Sequence, residues 1–310
     1  MENFYLFSYR NMKKYNNFLL DSFLLEKEVW EGLSVRSLEA YISIFALLLE
    51  NDYIRLDDFK TYTVANFKVL LAETFLARSW WSSTYNSYRK YFRVFCEYLK
   101  REKYIDINPL DEVKKRKCQQ ALPKTLSKEQ VNELLLSLPN AFDTKGFVWY
   151  RNETMVICFL FTGLRKSELL NLKINDLDIE DGFLRVNAGK GNKDRLVPLP
   201  AFLLKRLISY IKKRQIITIW SNSLFCSRSG LGLRDRDMKL IIEKIRYCLT
   251  FHFTWHQLRH TYATELVRNN FDIFNISKIL GHTKVSTTQI YLSSNVEKMK
   301  EQIDLIKMFS

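Results

Sequence analysis

Residues 254–266 read "TWHQLRHTYATEL", and His256 and His260 stand four apart in them, with His252 another four upstream. All four histidines of the 310-residue chain (His252, His256, His260 and His282) fall between positions 252 and 282. Such spacing first suggests a metal. A zinc-protease helix, however, needs H-E-x-x-H, two imidazoles on one face with a carboxylate beside the bound water. The stretch offers H-Q-L-R-H: Gln257 cannot act as a base, and Arg259 sets a fixed positive charge where a dication would sit. A phosphate site accounts for the same letters better. His256 and Arg259, three apart on a helix, point the same way and can grip non-bridging oxygens, the guanidinium by a bidentate fork.

Three further stretches share this chemistry. In "FTGLRKSELLNL" (161–172), Gly163 ends an apolar helix and Arg165 lies in the turn before the next. A charge beside such an apolar run is costly unless it faces an anion. Glu168 either orients Arg165 or supports the helix. In "NAGKGNKDRLVPL" (187–199), Gly189 and Gly191 flank Lys190 between two expected strands, a hairpin tip that lets the lysine reach a ligand. Lys193 and Arg195 compete for any role given to Lys190, and the stretch lacks the Walker pattern. In "ILGHTKVSTTQIYLSS" (279–294), Gly281 ends a helix, His282 follows it, and Tyr291 stands nine residues later.

Composition sets the frame. Apolar residues make up 47% and aromatics 14%, so the chain has enough core for globular domains. The longest apolar runs are too short to cross a bilayer, and the first twenty residues lack the unbroken apolar segment of an export signal. Five scattered cysteines without a CxxC pair fit a reducing cytoplasm. Lysine and arginine outnumber aspartate and glutamate by 48 to 34. The excess begins at residue 78: residues 1–77 carry net −3 and residues 78–118 net +6. A polyanion partner, most simply nucleic acid, suits this distribution, although solubility alone also asks for net charge.

Helical periodicity runs from Ser34, with Val35, Leu38, Tyr41, Ile42, Phe45, Leu48 and Leu49, and again from Ser83, with Tyr88, Phe92, Phe95 and Leu99. On the second helix Arg89, Arg93 and Lys100 fall together on a neighbouring basic face, and Lys90 joins them as a candidate for DNA binding. "DINPLDEVKKRKCQQALPKTLSKEQ" then breaks the pattern with two prolines and the basic run Lys114, Lys115, Arg116, Lys117. Helix resumes with Ser127 as N-cap, and "IEDGFLRVNAGKGNKDRLVPLP" predicts an antiparallel sheet of two or three strands. The fold expected is mainly α with a small antiparallel β-sheet. Residues 1–113 form a helical domain, 114–125 a basic linker and 126–310 a larger C-terminal domain.

Taken in order, Arg165, Lys190, His256, Arg259, His282 and Tyr291 resemble the tyrosine recombinase (phage integrase) family, and the likeness covers nearly the whole chain. "TGLRKSELLNL" is similar to that family's first arginine box and "GKGNKDRLVPLP" to its hairpin lysine box. "HQLRHTYATEL" and "LGHTKVSTTQIYL" resemble the second box and its nucleophile. Only Trp255 departs, standing where the family often has proline. The resemblance implies a core-binding domain of SAM-like type followed by a catalytic domain. It implies Tyr291 as nucleophile on a DNA phosphodiester, forming a 3′-phosphotyrosyl bond. Arg165, Arg259 and His282 would then bind the phosphorane, Lys190 protonate the 5′-oxygen and His256 act as base. Glu168 braces the first arginine, and His260 takes a supporting place. No cofactor and no metal are implied. The partner is double-stranded DNA, acted on by a homo-tetramer, or a hetero-tetramer with a second recombinase, through a Holliday junction. With only about thirty residues ahead of Ser34, the chain looks more like simple two-domain Xer-type resolvases than large phage integrases, and a cytoplasmic, nucleoid-associated location follows. Rival readings are a type IB topoisomerase, which relaxes supercoils without pairing sites, and a DNA-binding regulator on a decayed scaffold.

Overall fold

The computed structural model describes residues 18–50, 64–118, 123–142, 146–187, 194–217 and 220–281. The chain divides into two compact units, Met1–Gln120 and Ala121–Ser310.

In the first unit the expected helical periodicities become α1 (Phe18–Val29), α2 (Val35–Glu50), α3 (Val64–Ala77) and α4 (Ser82–Arg101). Phe23 of α1 is fully buried and meets Tyr41, Phe45, Phe95 and Tyr98 edge-on, with ring centroids 5.1–5.9 Å apart. Edge-to-face geometry suits the ring quadrupoles and adds about 0.5–1.5 kcal/mol per pair beyond area burial.

Two expectations change here. Arg89 does not join the basic face of α4: it is 8% exposed, and its guanidinium donates to the Leu110 carbonyl at 3.0 Å and to the Val113 carbonyl. The core face of α4 is wider than the four apolar residues suggested, because Arg89 stands in helical phase with buried Phe92 and Cys96. The basic run after it is not a free linker at its start. Asn86 of α4 accepts from the Arg116 N–H and donates to the Arg116 carbonyl, both at 2.9 Å, strapping residues 114–118 to the helix. The Arg116 guanidinium covers the Phe75 ring at 4.0 Å.

The second unit is built round α6 (Phe147–Thr162), which follows α5 (Lys128–Ser137). Ser127 caps α5 as expected, exchanging hydrogen bonds with Gln130 in a capping box. From Arg151 to Thr162 almost every side chain of α6 is buried, the polar Arg151, Asn152, Glu153 and Thr154 as well as the apolar run that follows them. It stops at Gly163, whose φ of 60° lies in the left-handed region. The short α7 (Lys166–Asn171) leads into a three-stranded antiparallel sheet of β1 (Leu177–Asp178), β2 (Phe183–Val186) and β3 (Arg195–Pro198), in the order β1-β2-β3. Then come α8 (Ala201–Arg214), α9 (Asp235–Tyr247), α10 (Trp255–Arg268) and α11 (Ile273–Leu280). α6 packs against both α8 and α10, and α11 lies on α10 and β3. None of the described helices is long and apolar enough to cross a membrane.

Gly163 is a point of close approach as well as a helix stop. A Cβ there would lie 2.4 Å from Tyr262 Cδ1 on α10, and the positive φ would be strained besides. Gly163→Ala is therefore expected to destabilise the second unit by about 1–3 kcal/mol, read as a lower urea midpoint. An unchanged midpoint would mean that this contact yields without cost.

Candidate active site

Two helix ends frame the site. α6 stops at Gly163 and α11 at Gly281, both in the left-handed conformation. The last carbonyls of a helix have no partner within it, and the helix dipole makes them attractive to cations. Three arginines take these carbonyls. Arg259, on α10, donates to the Gly163 carbonyl at 2.6 Å and to the Leu280 carbonyl at 2.8 Å. Arg165, at the start of α7, donates to the Gly281 carbonyl at 2.7 Å, and Arg195, the first residue of β3, donates through Nε to the Ile279 carbonyl at 2.7 Å.

One carboxylate stands among them. Glu168 Oε2 accepts from the Arg165 backbone N–H at 2.6 Å, which also caps α7, and Oε1 accepts from the Arg165 side chain at 2.7 Å. Arg195 approaches with both Nη atoms, at 2.9 Å to Oε1 and 2.8 Å to Oε2, and Arg259 Nη1 lies 4.0 Å away. Burial pushes this carboxyl up, but the hydrogen bonds from Arg195 and Arg165 and the Arg195 charge outweigh it and hold it at about 2. Among the described residues three guanidinium groups gather round one carboxylate, so the buried cluster carries more positive than negative charge. That is a setting for an anion.

His256 sits exposed on α10, one turn before Arg259, after a helix start fixed by a capping box between Thr254 and Gln257. Gln257 thus serves the helix terminus. Trp255, where proline was expected, is buried, donates Nε1–H to the Met238 carbonyl at 3.2 Å and stacks obliquely on Phe159. Partial burial, then the charges of Arg259, Arg165 and Lys166, lower the proton affinity of His256, so its imidazole is neutral at pH 7. His260 is half-buried with its ring edge-on to His256 at 5.5 Å, and burial, His256 and Arg259 lower its pKa as well.

Of the residues singled out in the sequence, Arg165, Glu168, His256 and Arg259 thus come together. Lys190, Lys193, His282 and Tyr291 lie outside the described residues. Arg195 leaves the competition with Lys190, because its guanidinium is engaged by Glu168 and Ile279. Its place was missed, yet strand alternation carries the signal: Arg195 shares the inward phase with fully buried Val197, while Leu196 between them is 55% exposed. In the first unit, Lys90, Arg93 and Lys115 line one groove of about 590 Å³ with Ser87 and Glu97. Lys100, Lys114 and Lys117 are exposed, and Arg93 pairs with Asp111 at 2.7 Å.

Comparison with known proteins places this arrangement. Residues 124–298 match the model of the phage integrase family. The chain is 30% identical over 300 residues to the tyrosine recombinase XerC of Pelotomaculum thermopropionicum, covering 91% of this chain and 95% of that one. Among solved structures it is similar to the XerA recombinase, at 26% identity and a TM-score of 0.51 over 95% of this chain and 100% of that one. The fold is also that of the XerH site-specific recombinase in a post-cleavage complex with its palindromic difH substrate, with a TM-score of 0.71 at 21% identity, covering 93% of this chain and 84% of that one. The chain therefore belongs to the phage integrase family and is a tyrosine recombinase, an enzyme that cuts and rejoins DNA at specific sites, similar to the Xer recombinases.

Proposed function

We propose that Tyr291 attacks a DNA phosphodiester to form a 3′-phosphotyrosyl bond and free a 5′-hydroxyl. The phosphoester energy stays in the covalent intermediate, so religation to a second strand needs no nucleotide hydrolysis. Arg165 and Arg259 bind the non-bridging oxygens as charge grows on the phosphorane, His282 adds a third donor, and Lys190 protonates the departing 5′-oxygen. His256 takes the tyrosine proton. The observation that carries this reading is the convergence of Arg165 and Arg259 on Glu168, with Gly281, the residue before His282, hydrogen-bonded to Arg165. A nicked suicide substrate labelled at either end tests it. Wild type is expected to leave protein on the 3′ phosphate and a free 5′-hydroxyl, in the presence of EDTA. Protein on the 5′ phosphate, or cleavage that EDTA abolishes, would contradict the assignment.

The lowered His256 pKa sets a pH dependence. A base works only when neutral, so single-turnover cleavage is expected to fall to half its plateau only at a pH below the ordinary histidine value of 6.5. The same shift acts on stability. The unfolded chain binds this proton more readily than the folded one, so the His256 contribution is full above 6.5 and is lost as pH falls below it. A rate already halved at pH 7 would remove His256 as the base.

Lys90, Arg93, Lys100, Lys114, Lys115 and Lys117 are assigned to DNA phosphates, which set affinity and register without reading sequence. Residues 1–113 act as the core-binding domain and residues 126–310 as the catalytic domain, joined by residues 114–125. Four protomers, of this chain alone or with a second recombinase, pair two sites through a Holliday junction, in dimer resolution or in movement of a mobile element. By their spacing Val296, Met299, Ile303 and Ile306 would fall on one face of a helix, and our reading is that this face docks on the next protomer and closes a ring. An apolar groove of about 280 Å³ lined by Leu126, Val131, Phe161, Tyr262 and Leu266 supports such docking. Deleting residues 296–310 should leave single-site binding intact and abolish cooperative synapsis; intact synapsis would contradict the docking.

A further inference from the structure

We infer that Arg195 is a positioning residue for strand cleavage: by taking up the charge of Glu168 it leaves Arg165 and Arg259 positively charged toward the scissile phosphate, and it ties the base of the Lys190 hairpin to the helix end that precedes His282. The inference rests on the recombinase reading above and adds a residue to it. Its geometry is on both sides of one guanidinium. Two Nη atoms form a fork on the two Glu168 oxygens at 2.9 and 2.8 Å, and Nε reaches the Ile279 carbonyl at 2.7 Å. The Arg195 side chain is only 8% exposed, and Glu168 only 9%, so the pair is shielded from solvent. Arg195 is paired in register with Val186, so it closes the end of the β2–β3 pair next to the Lys190 stretch in the sequence. The backbone at Gly281 lies directly against it: a Cβ there would stand 2.7 Å from Arg195 Nη1.

Without Arg195, the only guanidinium hydrogen-bonded to Glu168 among the described residues is that of Arg165, with Arg259 4.0 Å off. The carboxylate would then neutralise the arginine meant for phosphate. The neighbouring Lys166 offers no replacement, being paired with Asp235 at 2.7 Å. A bidentate, planar pairing of this kind is one lysine cannot reproduce.

The test measures single-turnover adduct formation on the suicide substrate, with DNA affinity by gel shift, for the full chain. Arg195→Met is expected to slow cleavage about a hundredfold while affinity changes less than about threefold, since most phosphate contacts lie elsewhere. The slowdown relative to wild type should shrink as pH is lowered, because a Glu168 freed from its fork takes up a proton at a higher pH. The double variant Glu168→Gln/Arg195→Met should cleave faster than Arg195→Met alone, since no carboxylate remains to neutralise Arg165. A brace with a merely structural role predicts a double variant no faster than the single one and a pH-independent ratio, and either result overturns the inference. So does a wild-type rate in Arg195→Met. Should Arg195→Met not fold, Arg195→Lys decides: a loss of about tenfold that shrinks at low pH supports the inference, and a wild-type rate or a pH-independent loss overturns it. If wild type itself forms no adduct, the recombinase reading fails first, and the two failures are distinct.

Discussion

Glu168→Ala is expected to destabilise the second unit by about 3–5 kcal/mol and to slow DNA cleavage at least a hundredfold, because it strips the shared counter-charge from three guanidinium groups at once. Arg195 loses a bidentate partner at 2.8–2.9 Å, Arg165 loses its side-chain bond at 2.7 Å and the cap of its backbone N–H, and Arg259 loses a carboxylate 4.0 Å away. Two of these arginines are nearly solvent-free, so water cannot replace the lost partner cheaply. The carboxyl is held at about 2 against an ordinary 4.5, a difference worth about 3 kcal/mol. Because the folded value is depressed, that stability is present above pH 4.5 and is lost as pH falls from there toward 2. Urea denaturation at pH 7 and at pH 3.5 checks both statements: the gap between wild type and Glu168→Ala should narrow at the lower pH. A gap that widens, or none at pH 7, would contradict the geometry.

Arg259→Ala is the second large effect, expected to cost about a thousandfold in cleavage. Arg259 is 4% exposed and closes two helix ends, donating to the Gly163 and Leu280 carbonyls. Removing it leaves both carbonyls short of a donor and the phosphate short of a cation. Arg259→Lys separates the two losses. A lysine keeps the charge but not the planar fork, so it should recover stability better than rate. Circular dichroism against temperature, set beside single-turnover cleavage, reads the two quantities. Equal recovery of both would show that the fork geometry is unimportant.

Much of this site is legible in the sequence because its parts are local. Gly163 and Gly281 stop apolar periodic runs, Ser127 and Thr254 stand three residues before glutamines that complete their capping boxes, and His256 and Arg259 keep helical spacing. The alternating stretch between residues 179 and 200 reads as a sheet for the same reason. What the sequence hides is non-local. Arg195 looks like one more cation beside the glycine hairpin until Ile279 and Glu168, distant in the chain, are seen to hold it. Arg89 has the periodicity of a core residue and the chemistry of a surface one, and only the carbonyls of Leu110 and Val113 resolve the conflict. Asn86 likewise gives no sign that it clamps Arg116 thirty residues on. Backbone carbonyls carry no mark in a sequence, so arginines that serve them are read as free.

The central claim is that the arginine cluster presents a DNA phosphate to Tyr291. Its most direct test is to trap the covalent complex on a suicide substrate, digest it with protease and nuclease, and locate the nucleotide by mass spectrometry. The account predicts one modified peptide, carrying a nucleotide 3′-phosphate on Tyr291, and no adduct from Tyr291→Phe even though that variant binds the same DNA. An adduct on another residue, or one that survives Tyr291→Phe, would contradict it.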